Sequence, residues 1–405
     1  MSSHCTSHDV LIVGAGPAGV ATALHLARVG RSVLLVDSRT FPREKVCGEG
    51  IMPHGVARLD ELGLLSALEG EGRPFYGIRY RLPGGQSAEA EFPSLTSWSG
   101  QGLAVRRRIL DLALVEAAAA EPGLDLRLGC PVRSIRLGDG ERPHSLTLDD
   151  DEPSAPVLIG ADGCHSGVRQ QAGLAAALPR RARFAVRGHF EHADRGIARP
   201  LVEVFMGPHC ELYLTPVDRE ATGVILTVEA EHLERIKGRP EAALREALRA
   251  TGWRFAATLA DAATLSPVAA LGPLGRQAKR AHADGLLLVG DAAGALDPIT
   301  GEGISIALGS ARLAAEQLQV AFQRGDFSAA RLRPYTHRRA AAVRELAAMT
   351  ALVLFLSRRR RIASHVVGNL RRFPETFAKL LGITAGAAPV TAVTLRDGLK
   401  LVVGV

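Results

Sequence analysis

The stretch Asp9–Asp37, DVLIVGAGPAGVATALHLARVGRSVLLVD, determines the fold of this chain. Its first apolar run, Val10–Val13, predicts a buried strand that leads directly into the glycine pattern GAGPAG at 14–19. A helix through Arg28 and a turn at Gly30 follow, and a second apolar strand ends at the final aspartate. Strand, glycines, helix, strand and acid in this order are typical of a βαβ unit that binds a dinucleotide.

Each glycine of the loop has a physical role in such a unit. Gly14 permits the tight turn, Gly16 lets the backbone approach a pyrophosphate, and Gly19 allows the helix to pack closely on the strand. The following helix presents free N–H groups and a positive dipole end to the phosphates. Asp37, 18 residues beyond Gly19, is placed to accept hydrogen bonds from an adenosine ribose.

The composition excludes several classes of protein. With 405 residues, 47% of them hydrophobic and 22% charged, the chain can bury a large core and is not disordered as a whole. The net charge is +7, but no aromatic-interleaved basic strip accompanies it, so we expect no nucleic-acid partner. We see no signal core and no apolar run long enough for a bilayer, which predicts a cytoplasmic protein, peripheral to a membrane at most.

Cysteines and histidines show no pattern of metal ligands and no disulfide framework. The cysteines are scattered, odd in number and without a C-x-x-C pair, which favours reduced thiols. They are Cys5, Cys47, Cys130, Cys164 and Cys210. His54, His189 and His209 have no ligand spacing, and His165 is interpreted as a polar loop residue rather than a proton relay. We therefore predict no metal site.

Two further strand ends deliver an aspartate and flexible backbone to one cleft. VLIGADGCHSGVR, 157–169, predicts a strand that ends at Asp162. GLLLVGDAAGALDPITGEGISIAL, 285–308, predicts a strand that ends at Asp291 and a glycine-rich loop that opens a long helix. The glycines of that loop let the backbone lie against a flat ring, and the helix N-terminus can stabilise negative charge there.

The remaining sequence predicts a second lobe and a helical C-terminus. Residues 75–100 alternate apolar and polar, and four strand-like runs between Phe184 and about Ala230 are spaced as in an antiparallel sheet. We therefore expect an α/β fold with an α+β substrate lobe, in which a Rossmann-like domain carries an inserted antiparallel sheet domain. The expected divisions are a discontinuous nucleotide-binding domain at 1–75, 100–180 and 270–345, a substrate-binding sheet domain at 76–99 and 181–269, and a helical segment at 346–405.

These three fingerprints, in this order, resemble the flavoprotein family of para-hydroxybenzoate hydroxylase fold, over roughly 1–345. Within it the chain is most similar to the branch of geranylgeranyl reductases, flavin-dependent halogenases and tailoring monooxygenases. The resemblance implies FAD, with Arg107 touching it at the family's R-x-x-L-D spacing and Asp291 binding the ribityl chain. The cofactor-binding positions it implies are Gly14, Gly16, Ala18, Gly19, Asp37, Arg43, Cys47, Gly48, Arg107, Asp162, Gly163, Asp291, Pro298, Gly301, Gly303 and Ile304.

The segment Cys47-Gly48-Glu49-Gly50 admits three interpretations. In the reductase branch the corresponding loop often reads C-G-G-G and crosses near the flavin, whereas halogenases tend to read G-E-S there. Cys47 could be a redox or nucleophilic thiol, although no second cysteine is nearby to form a disulfide. Glu49 could be a functional acid beside the flavin. We favour a flavin-side bend, in which Gly48 and Gly50 remove side chains and the other residues are incidental.

The resemblance leaves two reactions open. The halogenase W-x-W-x-I-P signature is absent, since Trp98 and Trp253 are far apart. The reductase strand Y-x-W-x-F-P corresponds to ELYLTPV, 211–217, which keeps a proline and a tyrosine but has no tryptophan. Tyr213 either points into the substrate cavity or packs. We expect monooxygenation of a hydrophobic aromatic or polyketide-like molecule in secondary metabolism, and the alternative is reduction or desaturation of an isoprenoid or lipid.

The source of electrons and the C-terminus are less determined. Because the sequence contains a single dinucleotide fold, NAD(P)H must dock transiently or a separate flavin reductase must supply electrons. The C-terminal stretch SRRRRIASHVVGNLRRF, 357–373, combines arginines with apolar positions. It is either a packed helix with a solvated arginine edge or a helix that rests on an anionic membrane surface.

Overall fold

The computed structural model describes residues 7–93, 100–138 and 142–404, so Cys5 and Trp98 lie outside the described residues. The strands are β1 Val10–Val13, β2 Val33–Asp37, β3 Gly50–Ile51, β4 Arg73–Phe75, β5 Gly77–Arg81, β6 Ser87–Glu91, β7 Gly102–Ala104, β8 Leu124–Leu128, β9 Ser134–Arg136, β10 His144–Thr147, β11 Ser154–Ala155, β12 Val157–Gly160, β13 Arg183–Glu191, β14 Val202–Gly207, β15 Cys210–Thr215, β16 Ala221–Glu229, β17 Ala269–Leu271, β18 His282–Ala283 and β19 Leu286–Leu288. The helices are α1 Pro17–Ala27, α2 Pro53–Glu61, α3 Arg107–Ala119, α4 Gly167–Gln171, α5 Pro240–Ala250, α6 Arg254–Asp261, α7 Gly303–Arg324, α8 Ala329–Ser357, α9 Arg360–Arg372, α10 Pro374–Thr384 and α11 Leu395–Val402.

The first sheet is the nucleotide-binding sheet, with strand order β18-β19-β12-β1-β2-β8. Its strands are parallel except for β18, and Val10 of β1 pairs with Val33 of β2 and Val157 of β12. β1 and β2 are apolar runs because strands at the centre of a parallel sheet are buried on both faces. The predicted α/β fold is confirmed, and β1, β2, β12 and β19 end at one edge.

The second sheet has the order β17-β13-β16-β15-β14-β5-β6. It is antiparallel except where β14 runs parallel to β5, with Val202 opposite Ile78. Alternate residues of its strands face different cores, as the period of two in a strand requires. Tyr213 and Ile225 face a core shared with the C-terminal helices, whereas Leu212 and Leu226 face a core shared with α5 and α6.

The two sheets draw on segments that interleave along the chain. The first takes strands between residues 10 and 37, 124 and 160, and 282 and 288, and the second takes strands between 77 and 91 and between 183 and 271. A small sheet, β3-β7-β4, lies between these segments in sequence. The exact domain boundaries stay a prediction.

The C-terminal segment is helical, as predicted. α9 and α10 pack on β6, and Tyr80 of β5 stacks on Phe377 of α10 with 5.8 Å between ring centroids. By length and composition alone, α8 is long and apolar enough to cross a membrane. A single helix of this kind is weak evidence for a span, because core helices of soluble proteins meet the same criterion.

Candidate functional site

A cavity of about 590 Å³ opens where the strands of the first sheet end and extends along one face of the second sheet. It brings together every site residue predicted from the sequence except Gly19, which lies behind it. The lining positions among those predictions are Gly14, Gly16, Ala18, Asp37, Arg43, Cys47, Gly48, Glu49, Arg107, Asp162, Gly163, Tyr213, Asp291, Pro298, Gly301, Gly303 and Ile304. Their individual roles stay predictions.

The loop between β1 and α1 is built from glycines that admit no side chain. Gly14 has φ +106°, and a Cβ there would lie 2.5 Å from the carbonyl oxygen of Ala161. A Cβ on Gly19 would lie 1.8 Å from the carbonyl oxygen of Gly14, so its role is close packing. Gly16 is open, with Arg43 Nη2 3.8 Å from an added Cβ, and no side chain caps the N-terminus of α1.

Asp37, at the end of β2, holds this loop in place. Its Oδ2 accepts a hydrogen bond from the backbone N–H of Ala15 at 2.8 Å, and its Oδ1 accepts from the N–H of Arg39 at 2.9 Å. Arg43 donates to the same carboxylate at 3.3 Å and lies 3.6 Å from Asp111. A carboxylate offers about four acceptor sites, so Asp37 retains capacity for a ribose hydroxyl.

Asp162 and the following turn border the same cavity. Asp162 Oδ2 accepts from the N–H groups of Gly167 and Val168, at 2.7 and 3.1 Å, and thereby begins α4. Its other oxygen, Oδ1, is buried with no partner among the described residues. The side chain thus organises the turn and also leaves one acceptor unsatisfied, which is where a ligand donor fits.

Asp291 and the loop that leads into α7 close the opposite side. Asp291 lines the cavity. Burial raises the pKa of this carboxyl group above its ordinary value, although the positive charges of Lys45 and Arg107 lower it in part. Gly301 has φ +74°, and an added Cβ at Gly301 or Gly303 would meet nothing within 4 Å. The loop therefore presents bare backbone to open space, and no side chain caps the N-terminus of α7.

An ion pair from the second sheet holds that loop. Arg183 of β13 donates to Asp297 Oδ1 at 2.7 Å and also pairs with Glu211 of β15. Asp297 in turn accepts from the N–H of Ile299 at 3.1 Å and so begins the short turn Pro298–Thr300. The sequence patterns gave no sign of this link, because its partners lie on three separate segments.

Arg107 is committed to an internal partner. Its guanidinium makes two hydrogen bonds to Asp111, at 2.7 and 2.8 Å. Burial lowers the pKa of Arg107, but the nearby Asp111 and Cys47 outweigh it and raise this pKa above its ordinary value. Burial raises the pKa of the Cys47 thiol, which Arg107 only partly offsets. A thiol with a raised pKa is a weak nucleophile, which supports the interpretation of Cys47 as unreactive.

In the loop Cys47–Gly50 the left-handed backbone conformation belongs to Glu49 and not to its glycine neighbours. Its φ is +61°, in the left-handed region, whereas Gly48 and Gly50 have no such φ. A Cβ added to Gly48 would lie 4.0 Å from Ile225 Cδ1. A Cβ added to Gly50 would lie 3.6 Å from the ring of Phe75 and 3.8 Å from Thr215 Cγ2, which are ordinary contacts. Left-handed backbone costs a non-glycine residue about 1 kcal/mol. Glycine would occupy this position at lower cost, so the side chain of Glu49 is a candidate for a role, and the interpretation of the loop as a bend stays a prediction.

The carboxylate of Glu49 is 1% exposed and fully partnered. Its Oε1 accepts from the backbone N–H of Arg107 at 2.9 Å, and its Oε2 lies 2.5 Å from Nε2 of His189. His189 is 0% exposed, and its Nδ1 lies 2.6 Å from Ser266 Oγ and 3.0 Å from Arg187 Nη1. Because arginine only donates, Nδ1 of His189 accepts and Nε2 carries the proton toward Glu49.

His189 is the functional candidate that sequence reasoning missed. Its sequence spacing fits no metal site, and that spacing predicts no other role for it. The usable signal was its strand, FAVRGHFEH, in which Arg187 and His189 alternate with apolar neighbours and so share one face of β13. Arg187 also donates to Glu44 at 2.7 Å, which extends the network to a partly exposed carboxylate.

The part of the cavity along the second sheet is apolar. Tyr213 lines it, as one of the two sequence interpretations expected, and its hydroxyl is buried with no partner among the described residues. Burial and the nearby Glu211 raise the pKa of Tyr213 well above its ordinary value, so the phenol stays protonated. The other side chains on this face are Met52, Phe75, Ile78, Ala185, Val202, Val204, Thr215, Ile225, Leu271, Leu274 and Ile299.

Three histidines outside the cavity, His54, His209 and His232, have acidic neighbours. Ligand atoms of His209, Glu231 and His232 lie within 4.8 Å of one another, but exposed groups of this kind are common without an ion, and the absence of a metal stays a prediction. His54 Nε2 lies 3.4 Å from Oε2 of Glu302. Burial lowers the pKa of His54 to about 4 and raises that of Glu302 well above its ordinary value, so both groups are held neutral.

Comparison with known proteins gives one family match over most of the chain. Residues 7–350 match the family model described as an FAD binding domain. Menaquinone reductase of Mycobacterium tuberculosis is 33% identical over 327 residues, covering 77% of this chain and 76% of that protein. Digeranylgeranylglycerophospholipid reductase 2 of Methanopyrus kandleri is 28% identical over 340 residues, covering 82% of this chain and 81% of that protein.

Solved structures share the fold at lower identity. A flavoprotein/dehydrogenase from Cytophaga hutchinsonii superimposes with a TM-score of 0.83 at 20% identity, covering 98% of this chain and 95% of that chain. A probable FAD-dependent monooxygenase from Pseudomonas aeruginosa has a TM-score of 0.73 at 19% identity, covering 88% of this chain and 98% of that chain. At such identities the likeness establishes the fold alone.

Proposed function

The chain belongs to the FAD-binding family whose domain it matches over residues 7–350, and on that premise we propose that it reduces a double bond of a long, apolar, isoprenoid-type substrate. It is an FAD-dependent oxidoreductase. Relatives at 33% and 28% identity are named as reductases of menaquinone and of a geranylgeranyl lipid, and these names support reduction. The solved structures, one of which is named a monooxygenase, are at most 20% identical and carry less weight for the choice of reaction.

The residues present fit FAD. Two uncapped helix N-termini, of α1 and α7, face the cavity and can bind a pyrophosphate and the negative edge of a flavin ring. The unsatisfied Oδ1 of Asp162 and the carboxylate of Asp291 supply acceptors for hydroxyl groups between them. When bound, FAD supplies hydride to a carbon or takes hydride from one.

The observation that carries the proposal is the apolar wall beside this cradle. From Met52 across β14–β16 to Leu274, the residues that line the second sheet bear no charge, and Tyr213 and Thr215 contribute the hydroxyl groups there. An anionic substrate would find no cation along that wall among the described residues, whereas a hydrocarbon chain would find van der Waals contact throughout.

Reduction of a double bond adds a hydride to one carbon and a proton to the other, and we assign the proton to Glu49 and His189. Nε2–H of His189 donates to Oε2 of Glu49 at 2.5 Å, at the wall of the cavity. The proton on Nε2 of His189 can pass through Oε2 of Glu49 to the substrate, and the imidazole regains a proton at Nδ1, which contacts Ser266 Oγ. These side chains place the proton, and the wall excludes water from it.

Monooxygenation is the second candidate, and Tyr213 is the observation that favours it. The buried, unpartnered hydroxyl of Tyr213 can hydrogen-bond to the oxygen of a phenol-type or polyketide-like substrate, which a pure hydrocarbon does not offer. In that case the enzyme inserts one oxygen atom and acts in secondary metabolism on an aromatic compound.

Strict exclusion of oxygen separates the two candidates. Chemically reduced enzyme, mixed without oxygen with menaquinone or with digeranylgeranylglycerophospholipid, is expected to convert one equivalent to the more saturated product, measured by mass spectrometry. A product that forms only with oxygen and carries one ¹⁸O atom from ¹⁸O₂ would replace reduction by monooxygenation. Monooxygenation would also replace reduction if neither lipid were converted and an aromatic probe such as 2-naphthol gained one ¹⁸O atom.

We propose that NAD(P)H is the source of the electrons and that the enzyme acts in the cytoplasm. Among the described residues a single dinucleotide-binding loop is present, at Gly14–Gly19, and FAD takes it. The nicotinamide must therefore dock transiently at the cavity, or a separate flavin reductase must deliver the electrons. Anaerobic bleaching of the bound flavin by NADH or NADPH alone separates these routes.

A further inference from the structure

The net positive charge of this chain comes from its last sixty residues. Residues 346–405 contain nine of the 49 basic residues and two of the 42 acidic ones, which leaves 40 of each sign in the rest of the chain. The formal net charge of +7 is therefore the charge of this segment, and residues 1–345 are neutral as a whole. Such asymmetry within a chain indicates an anionic partner for that part.

The same segment ends in a helix with an uncovered apolar face. In α11 and directly after it, Leu395 is 92% exposed, Leu399 54%, Val402 71% and Val403 56%. The spacing of three and four residues places the first three side chains on one side of the helix. Isolated exposed apolar residues are normal, but four together on so short an element mark an interaction surface.

This helix is held in place by its other side. Asp397 accepts hydrogen bonds from Thr376 at 3.0 Å and from Lys379 at 2.8 Å, and it forms a capping box with Thr394. Those donors hold the pKa of Asp397 well below its ordinary value, so the anchor persists at acidic pH. At the other end, His365 and Asn369 of α9 contact the carbonyl oxygens of Val402 and Leu401, at 2.8 and 3.0 Å. The apolar face is thus fixed in an outward orientation.

Exposed arginines and further apolar side chains accompany it on α8 and α9. Leu352, Phe355 and Ile362 are 41%, 43% and 42% exposed, and Arg359 lies over the ring of Phe355 at 3.9 Å. The arginines that are exposed in this segment are Arg358, Arg359, Arg360, Arg361, Arg371, Arg372 and Arg396. Arg358 pairs with Glu229 at 2.6 Å, so its charge is already matched within the protein.

We propose that α11, with the exposed arginines of α9 and α11, docks this protein on an anionic lipid surface. Inserted leucine and valine side chains bury apolar area, and each arginine near an acidic headgroup contributes about 1 kcal/mol. A second copy of the chain fits less well, because two segments of charge +7 would face each other. The C-terminal helices share a core with Tyr213 and Ile225 of the cavity wall, so docking places the substrate cavity beside the membrane.

Cosedimentation of the FAD-loaded protein with vesicles tests the proposal, independently of which reaction the enzyme catalyses. The protein is expected to pellet with phosphatidylcholine vesicles that contain about one third phosphatidylglycerol, and to stay in the supernatant with phosphatidylcholine alone. Leu395→Ser with Leu399→Ser and Val402→Ser should abolish pelleting. Arg360→Gln with Arg361→Gln should weaken it about fivefold for each charge removed, and more salt should do the same.

Matched changes elsewhere are the controls. Val29→Ser with Leu178→Ser removes apolar side chains that are 47% and 54% exposed, and Arg219→Gln with Arg254→Gln removes two exposed charges, all outside the segment. Both controls should pellet as the unchanged protein does, and flavin absorbance confirms that every variant is folded. Absence of pelleting, or equal loss in controls and test variants, would overturn the proposal. So would a dimer in sedimentation velocity that the α11 changes dissociate, because a second copy would then cover this face.

Discussion

Two loops reach the cavity with similar compositions and opposite designs. In Gly14–Gly19 the glycines themselves hold positions where no side chain fits, and Gly14 has φ +106°. In Cys47–Gly50 the glycines have ordinary backbone angles, and the left-handed position is occupied by Glu49 at φ +61°. The first loop presents its backbone to a ligand, whereas the second accepts backbone strain in order to present a carboxylate. Composition alone does not distinguish these cases.

The largest expected effect is on the first loop. Gly14→Val would place a branched side chain against Ala161, whose carbonyl oxygen is 2.5 Å from even a bare Cβ, and we expect the affinity for FAD to fall by at least about 100-fold. Titration of apoprotein with FAD, followed by flavin fluorescence, measures it. Gly30→Ala is the control, since this glycine also has positive φ, +80°, but meets nothing within 4 Å. Equal losses in both variants would mean that backbone strain, and not the cradle, is responsible.

The second loop is tested by Glu49→Gly, which relieves the left-handed strain and removes the carboxylate. If the side chain is needed, turnover should fall by about 100-fold with FAD still bound, as for loss of a general acid or base. Glu49→Gln, which keeps the shape, should lose nearly as much. Single-turnover rates under saturating substrate measure both. If the Glu49→Gly variant kept full turnover, the loop would be only a bend with incidental side chains, and the two loops would not differ in this way.

A smaller effect is expected for His189→Gln. Glutamine can still donate a hydrogen bond to Glu49 but cannot pass a proton on, so we expect turnover to fall by about tenfold. A solvent isotope effect larger than in the unchanged enzyme should accompany the loss, because proton replacement becomes slower. Ser266→Ala should show the same change more weakly. If His189→Gln alters stability but neither turnover nor the isotope effect, the histidine is only a packing partner.

The smallest effect is expected for Cys47→Ser, which should keep turnover within about threefold of the unchanged enzyme. Burial raises the pKa of this thiol, so little thiolate is present at neutral pH and alkylation by iodoacetamide should be slow, rising only at alkaline pH. Mass spectrometry of the modified cysteines against time measures it. Rapid alkylation of Cys47 at pH 7 with loss of activity would make the thiol, and not Glu49, the reactive group of its loop.

The nucleotide-binding half was predictable because its information is local. The strand Val10–Val13 and the acid at Asp37 occur where the pattern predicted them, since a βαβ unit is encoded within one continuous stretch. The Glu49–His189 pair was not predictable, because the partners are 140 residues apart and meet through the fold of the second sheet. Likewise, the arginine run predicts a surface at 357–373, whereas the most exposed apolar face lies later in the sequence, on α11.

The parallel pairing of β14 with β5 has a consequence for engineering. Val202 pairs with Ile78, so the sheet that forms the apolar wall includes a hairpin encoded far upstream of its other strands. A chimera that exchanges only residues 183–271 with a relative would graft five strands onto a foreign edge hairpin and mismatch that register. Substrate preference can therefore be transplanted only as two segments together, with 77–91 moved alongside 183–271. In a library of recombined homologues, crossovers that separate these segments should be the ones that fail to give yellow, folded protein.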